Sequence, residues 1–84
     1  MSTAAKPTKQ DIQNKLTTYM AQGLGVPAAS IDPSARFLVS GGNSILFMQM
    51  MSRLENDLGI AVNVESAARF DTIADLSAHL ATQV

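Results

Sequence analysis

The sequence predicts an all-α fold: a small four-helix bundle of three main helices and one short helix, with a long loop between the first and second helices. Three observations point to it. Apolar residues recur at helical spacing in three separate segments, glycines stand where two of those segments stop, and only residues 60–64 alternate like a strand, with no second run to pair with.

Each element follows in order. Residues 1–7 are small and polar and end at Pro7, which suits a flexible N-terminal leader, so the domain is expected over 8–84. Thr8 is placed to cap the first helix. Ile12, Leu16, Tyr19 and Met20 fall at i, i+4, i+7 and i+8 on one face, and Gly23 is placed to end the helix, giving residues 8–22. Residues 23–43 break the pattern with Gly25, Pro27, Pro33, Gly41 and Gly42, and Val26, Ile31, Phe37 and Leu38 are the expected anchors of this loop. Residues 44–58 contain no proline or glycine and form the second helix, ended by Gly59. At 100° per residue, Leu46, Phe47, Met50, Met51, Leu54 and Leu58 share its core arc, while Ser44, Ile45, Met48, Gln49, Ser52 and Asn56 lie opposite. Residues 60–64 are expected as an extended, buried connection. Residues 65–70 allow one or two helical turns capped by Asn63. Thr72 with Asp75 resembles a capping box opening a last helix whose stripe is Ile73, Leu76 and Leu80.

Composition narrows the chemistry. Six Lys plus Arg stand against seven Asp plus Glu in 84 residues, a formal net charge of -1, and the basic residues are scattered, so no nucleic-acid footprint is present. A single domain this short leaves little volume for a deep enclosed catalytic pocket. There is no cysteine and only one histidine, which removes disulfides, a thiol nucleophile and a histidine-based metal site. The N-terminus lacks the apolar core of a signal peptide and no run is long enough to span a membrane, so a cytoplasmic protein with no membrane partner is expected.

Ser44 is where chemistry can sit. Gly41 and Gly42 precede it and the second helix begins at it, so its hydroxyl faces the positive end of a helix dipole, where first-turn amides can bind an attached phosphate. The competing reading is local: Asn43 and Ser44 are both helix-capping residue types. A nucleophilic serine would need a positioned base, and His79 falls on the last helix as a solvated residue with no orienting partner. The run 41–44 is no P-loop, since its spacing is wrong and no lysine follows. Ile45 and Met48 are apolar on a polar arc; they either pack under the long loop or form a contact patch for partners.

These residues bring a family into view. Gly41-Gly42-Asn43-Ser44 is similar to the signature of peptidyl carrier proteins, and the chain resembles the peptidyl and acyl carriers of non-ribosomal peptide and polyketide synthesis. The likeness extends through Leu24-Gly25-Val26, Ile31-Asp32-Pro33 and Phe37-Leu38 in the first loop, Leu46, Leu54 and Leu58-Gly59 in the second helix, and Val62, Phe70, Thr72-Ile73, Leu76 and Leu80 beyond it. Val39 and Ser40 depart from the acidic residue and leucine that the family often has before the glycines. Asn43-Ser44-Ile45, and a second helix with only Glu55 and Asp57 against Arg53, resemble the peptidyl type more than the strongly acidic fatty-acid carriers.

The resemblance implies a non-enzymatic carrier, and since the chain starts at Met1 and holds one carrier unit without linker sequence, a stand-alone, monomeric protein is expected, with an excised domain as the alternative. Ser44, flanked by Gly42 and Asn43, would carry 4′-phosphopantetheine taken from coenzyme A, and an aminoacyl or acyl group would ride on the arm as a thioester. Implied partners are a phosphopantetheinyl transferase, an adenylation or other loading enzyme, and downstream condensation, tailoring or thioesterase enzymes, docking on Ile45, Met48, Gln49 and Ser52. The alternative is an unmodified helical interaction module in which Ser44 only caps its helix.

Overall fold

In the computed structural model, residues 7–83 are described; the leader expected over 1–7 lies outside them apart from Pro7. Among these residues the elements are α1 (Lys9–Leu24), a 3₁₀ turn (Ala28–Ser30), α2 (Ser44–Leu58), α3 (Val64–Ala67) and α4 (Ile73–Ala81). The fold is all-helical, as expected.

Thr8 caps α1 in a reciprocal box: the Asp11 amide donates to Thr8 Oγ1 at 3.1 Å and the Thr8 amide donates to Asp11 Oδ2 at 3.0 Å. The other end corrects the sequence expectation. Gly25, not Gly23, takes the left-handed conformation that stops the helix, with φ 71°, and the Val26 amide reaches back to the Ala21 carbonyl at 3.0 Å. Gly23 lies inside the last turn, where a Cβ would stand 2.3 Å from Leu46 Cδ1. Its missing side chain serves the approach of α1 to the start of α2.

The long loop is held at fewer places than expected. Ile31 and Phe37 pack against the core, but Val26 and Leu38 are exposed. Val26 follows the αL cap and contributes its amide there, while Leu38 adjoins inward-packed Phe37 in a tight turn, where only one of the two can enter the core. Backbone contacts do the remaining anchoring. The Phe37 amide donates to the Asp71 carbonyl at 2.7 Å and the Ala74 amide to the Pro33 carbonyl at 2.9 Å, so the loop is tied to the lead-in and the first turn of α4.

α1 packs on both α2 and α4, and α3 packs on α4. Ile12, Leu16 and Met20 meet Met50, Met51, Leu54, Ile73, Leu76 and Leu80 in one core, each such side chain contributing about 1.5–3 kcal/mol when fully buried. Phe47 and Leu58, expected in the core arc, are only half-buried. Gly59 ends α2 at φ 65° as expected. Residues 60–63 are extended but not fully buried, and Val64, expected in the same run, instead opens α3 because Asn63 caps the helix just before it: Ile60 and Val62 are half-buried while Ala61 and Asn63 are exposed, with the Val62 amide on Glu55 Oε2 at 2.7 Å. Asn63 caps α3 through the Ser66 amide and Thr72 caps α4 through the Asp75 amide.

A polar latch joins α1 to the C-terminal half of α2. Tyr19 donates its hydroxyl hydrogen to Asp57, and the Arg53 guanidinium lies 4.3 Å over the Tyr19 ring while donating to Gln22 Oε1. Burial, reinforced by the Asp57 carboxylate, pushes the Tyr19 phenol up to about 12. His79 corrects another expectation: it is half-buried and its ring stacks on Phe70 at 4.7 Å, so it is a packing residue rather than a solvated one.

Candidate functional site

The site grows out of the turn that precedes α2. Gly41 adopts φ 103°, which residues with a side chain rarely take. At Gly42 the requirement is space: a Cβ there would lie 2.4 Å from the Phe37 ring, and the Gly42 amide donates to the Phe37 carbonyl at 2.9 Å. Phe37 in turn meets Phe47 edge-on, with ring centroids 6.0 Å apart. The turn is thereby fastened to the first turn of α2.

Asn43 is the N-cap. Its Oδ1 accepts from the Leu46 amide at 2.9 Å, and its carbonyl accepts from the Phe47 amide at 2.9 Å. Ser44 is the first helical residue and is exposed; its hydroxyl makes no hydrogen bond among the described residues. The alternative in which Ser44 caps the helix is therefore corrected: Asn43 does that work. With the Leu46 and Phe47 amides taken, those of Ser44 and Ile45 remain at the positive end of the helix, beside a hydroxyl with no structural duty. A phosphodiester on that oxygen fits the residues present. Neither a base nor His79 hydrogen-bonds to Ser44 among the described residues, and those residues hold no group of three potential metal ligands.

Ile45 and Met48 are 73% and 50% exposed, and Gln49 and Ser52 are exposed with them, so none of the four is packed under the loop. Leu38 and Val39, 73% and 78% exposed, extend the apolar surface across the loop. The sequence reading missed this pair, assigning Leu38 to the core. The signal was present: Phe37, Leu38 and Val39 run consecutively into a glycine turn, where the chain cannot bury all three.

Beside Ser44 opens a groove of about 450 Å³. Its apolar lining comes from Phe37 in the loop, Phe47 and Met48 on α2, Val64 on α3, and Ala68 and Phe70 beyond it. Arg36 and Asp71 also line it, paired at 3.6 Å with both side chains largely in solvent, an arrangement contributing about 0–1 kcal/mol. A second hollow, lined by Asp11, Lys15 and Asp57 among others, lies toward the far end of α2, ~20 Å from Ser44 at 1.5 Å per residue. No helix among the described residues is long and apolar enough to cross a membrane.

Comparison with known proteins agrees with this geometry. A family model described as "Phosphopantetheine attachment site" matches residues 14–80. The chain is 31% identical over 75 residues to Nonribosomal peptide synthetase atnA of Emericella nidulans, covering 89% of this chain and 1% of that one. It is 34% identical over 61 residues to Polyketide synthase 1 of Metarhizium anisopliae, covering 73% of this chain and 3% of that one. The chain thus spans only a small fraction of the curated relatives it matches. Among solved structures, a free-standing peptidyl carrier protein from an uncharacterized Acinetobacter baumannii secondary metabolic pathway superposes with TM-score 0.82 at 22% identity, covering 93% of this chain and 98% of that one. The chain belongs to the phosphopantetheine-attachment family, whose members are carriers rather than catalysts and whose defining cofactor is covalent 4′-phosphopantetheine.

Proposed function

We propose that Ser44 is the attachment residue, and that the chain tethers an aminoacyl or acyl thioester for partner enzymes of non-ribosomal peptide or mixed peptide-polyketide biosynthesis. The observation that carries this reading is the division of labour at the start of α2: Asn43 caps, and Ser44 is left as an exposed hydroxyl at the helix N-terminus. In the transfer, Ser44 Oγ forms a phosphodiester as coenzyme A loses its nucleotide half, and the hydroxyl proton leaves to a base of the phosphopantetheinyl transferase. The free amides of Ser44 and Ile45 stabilise the new negative charge. Bound there, the arm supplies the thiol that a chain without cysteine lacks. Gly42 and Asn43 position the turn and the helix end.

The docking surface is the uncharged face around Ser44: Ile45, Met48, Gln49 and Ser52 on α2, joined by Leu38 and Val39. From Phe37 to Ser52 no side chain is charged, so loading and downstream enzymes meet this face through apolar contact. The chain works as a cytoplasmic monomer within the domain 8–84. The test is an intact mass after incubation with coenzyme A and a broad-specificity transferase. One added phosphopantetheine, absent in Ser44→Ala, is the expected result; an unchanged mass on folded protein overturns the assignment.

A further inference from the structure

A phosphodiester on Ser44 brings a negative charge to a stretch that has no charge of its own, since no side chain from Phe37 to Ser52 is ionised. The two free amides at the start of α2 are neutral donors and leave that charge without a counter-ion. The chain has six basic residues, and among the described residues Arg36 is the one that lines the same space as Ser44. Lys9 and Lys15 lie on α1, and Arg53 is engaged with the Tyr19 ring and Gln22 on the far half of α2.

The backbone fixes where the Arg36 side chain starts. Arg36 pairs with Thr72 in an isolated antiparallel bridge, and the Ser40 amide donates to the Arg36 carbonyl at 3.0 Å. The same turn brings the Gly42 amide onto the Phe37 carbonyl, two residues before Ser44. Beyond its backbone the residue is loosely held. Its side chain is 71% exposed, and the Asp71 carboxylate that it meets at 3.6 Å is 68% exposed, a pair too long and too wet to bind firmly. A guanidinium has five donors and fits the oxygens of a phosphodiester as well as those of a carboxylate.

Resting on the assignment of Ser44, we infer that Arg36 is the counter-ion of the attached arm. Its guanidinium turns from Asp71 to the phosphodiester on Ser44, so the ion pair between the loop and the lead-in of α4 opens when the chain is modified. Arg36 is thus a positioning residue for the root of the arm. Asp71 is its competitor, holding the guanidinium while Ser44 is bare.

The test follows the loaded full chain by NMR, with loading confirmed by intact mass. On attachment the Arg36 Nε–H signal shifts, a readout that needs no variant. The phosphorus signal of the phosphodiester differs between wild type and Arg36→Ala, and Arg36→Lys falls between them. Asp71→Asn stays with wild type or moves further from Arg36→Ala, because the competing carboxylate is gone. Sodium chloride at about 1 M carries the wild-type signal toward that of Arg36→Ala. An Arg36 Nε–H signal that attachment leaves in place, or one phosphorus position shared by wild type and Arg36→Ala, overturns the inference while leaving the attachment intact. Asp71→Asn moving together with Arg36→Ala overturns it too, since the effect would then come from loosening the loop and not from contact with the phosphate. Failure of any mass gain in wild type overturns the Ser44 assignment, and this inference with it.

Discussion

Asn43 and Ser44 come from the same short list of capping residues, and the fold separates them by one position into different roles. The backbone of Asn43 is extended, so its side chain can turn back onto the Leu46 amide; Ser44 is already helical, and its hydroxyl faces out. Their replacements therefore diverge. Asn43→Ala costs about 1 kcal/mol of stability, read by chemical denaturation, whereas Ser44→Ala leaves stability within about 0.5 kcal/mol and removes the phosphopantetheine mass. Sequence reading found both residues but not the division between them, because capping propensity is shared and only the backbone torsion of Asn43 decides it. Tyr19 gives a second prediction. Its phenol, raised from 10.0 to about 12 in the folded chain, holds its proton more tightly when folded, so its contribution to stability is complete below pH 10 and is lost as pH rises through 12. Wild type should therefore lose up to about 2–3 kcal/mol more than Tyr19→Phe between those values, measured as denaturation midpoints across the range.

At the scale of elements, α2 was legible from end to end because every cue agreed: a run free of glycine and proline, a capping residue before it and a glycine after it. α1 was legible in its face but not in its end. Gly23 and Gly25 both suit a helix stop, and the choice depends on Leu46, a residue more than twenty positions away that needs the bare Cα of Gly23 beneath it. Among the expected loop anchors Ile31 and Phe37 held, while Leu38 failed for a similar reason: hydrophobicity ranks it with Phe37, and the turn admits one. His79 failed because its partner, Phe70, lies on the approach to α4, outside the helix's own periodicity. The two faces of α2 give opposite outcomes on substitution. Leu54→Ala, at a fully buried position, should destabilise by about 2–5 kcal/mol. Ile45→Glu or Met48→Glu should leave the melting temperature nearly unchanged and slow modification by the transferase, and the wild-type rate should vary little with ionic strength since the face is uncharged.

Over the whole molecule, with a Cα radius of gyration of 12.1 Å, the core occupies the middle and the surface divides into unlike ends. The all-helical class was legible because three apolar stripes had nowhere to go but against one another. The groove was not, since its walls come from the loop, α2 and the α3–α4 junction, and no local pattern brings Phe37, Phe47 and Phe70 together. The latch between Tyr19, Arg53 and Asp57 clamps α2 near its C-terminus, while its N-terminus borders open space and exposed apolar side chains. That asymmetry sets a gradient in how long backbone hydrogens survive in heavy water. Exchange should be slowest in the last two turns of α2 and fastest in the first, with Tyr19→Phe flattening the slope from the protected end. A single rod would then serve two tempos, keeping time at one end while the other yields to each successive visitor.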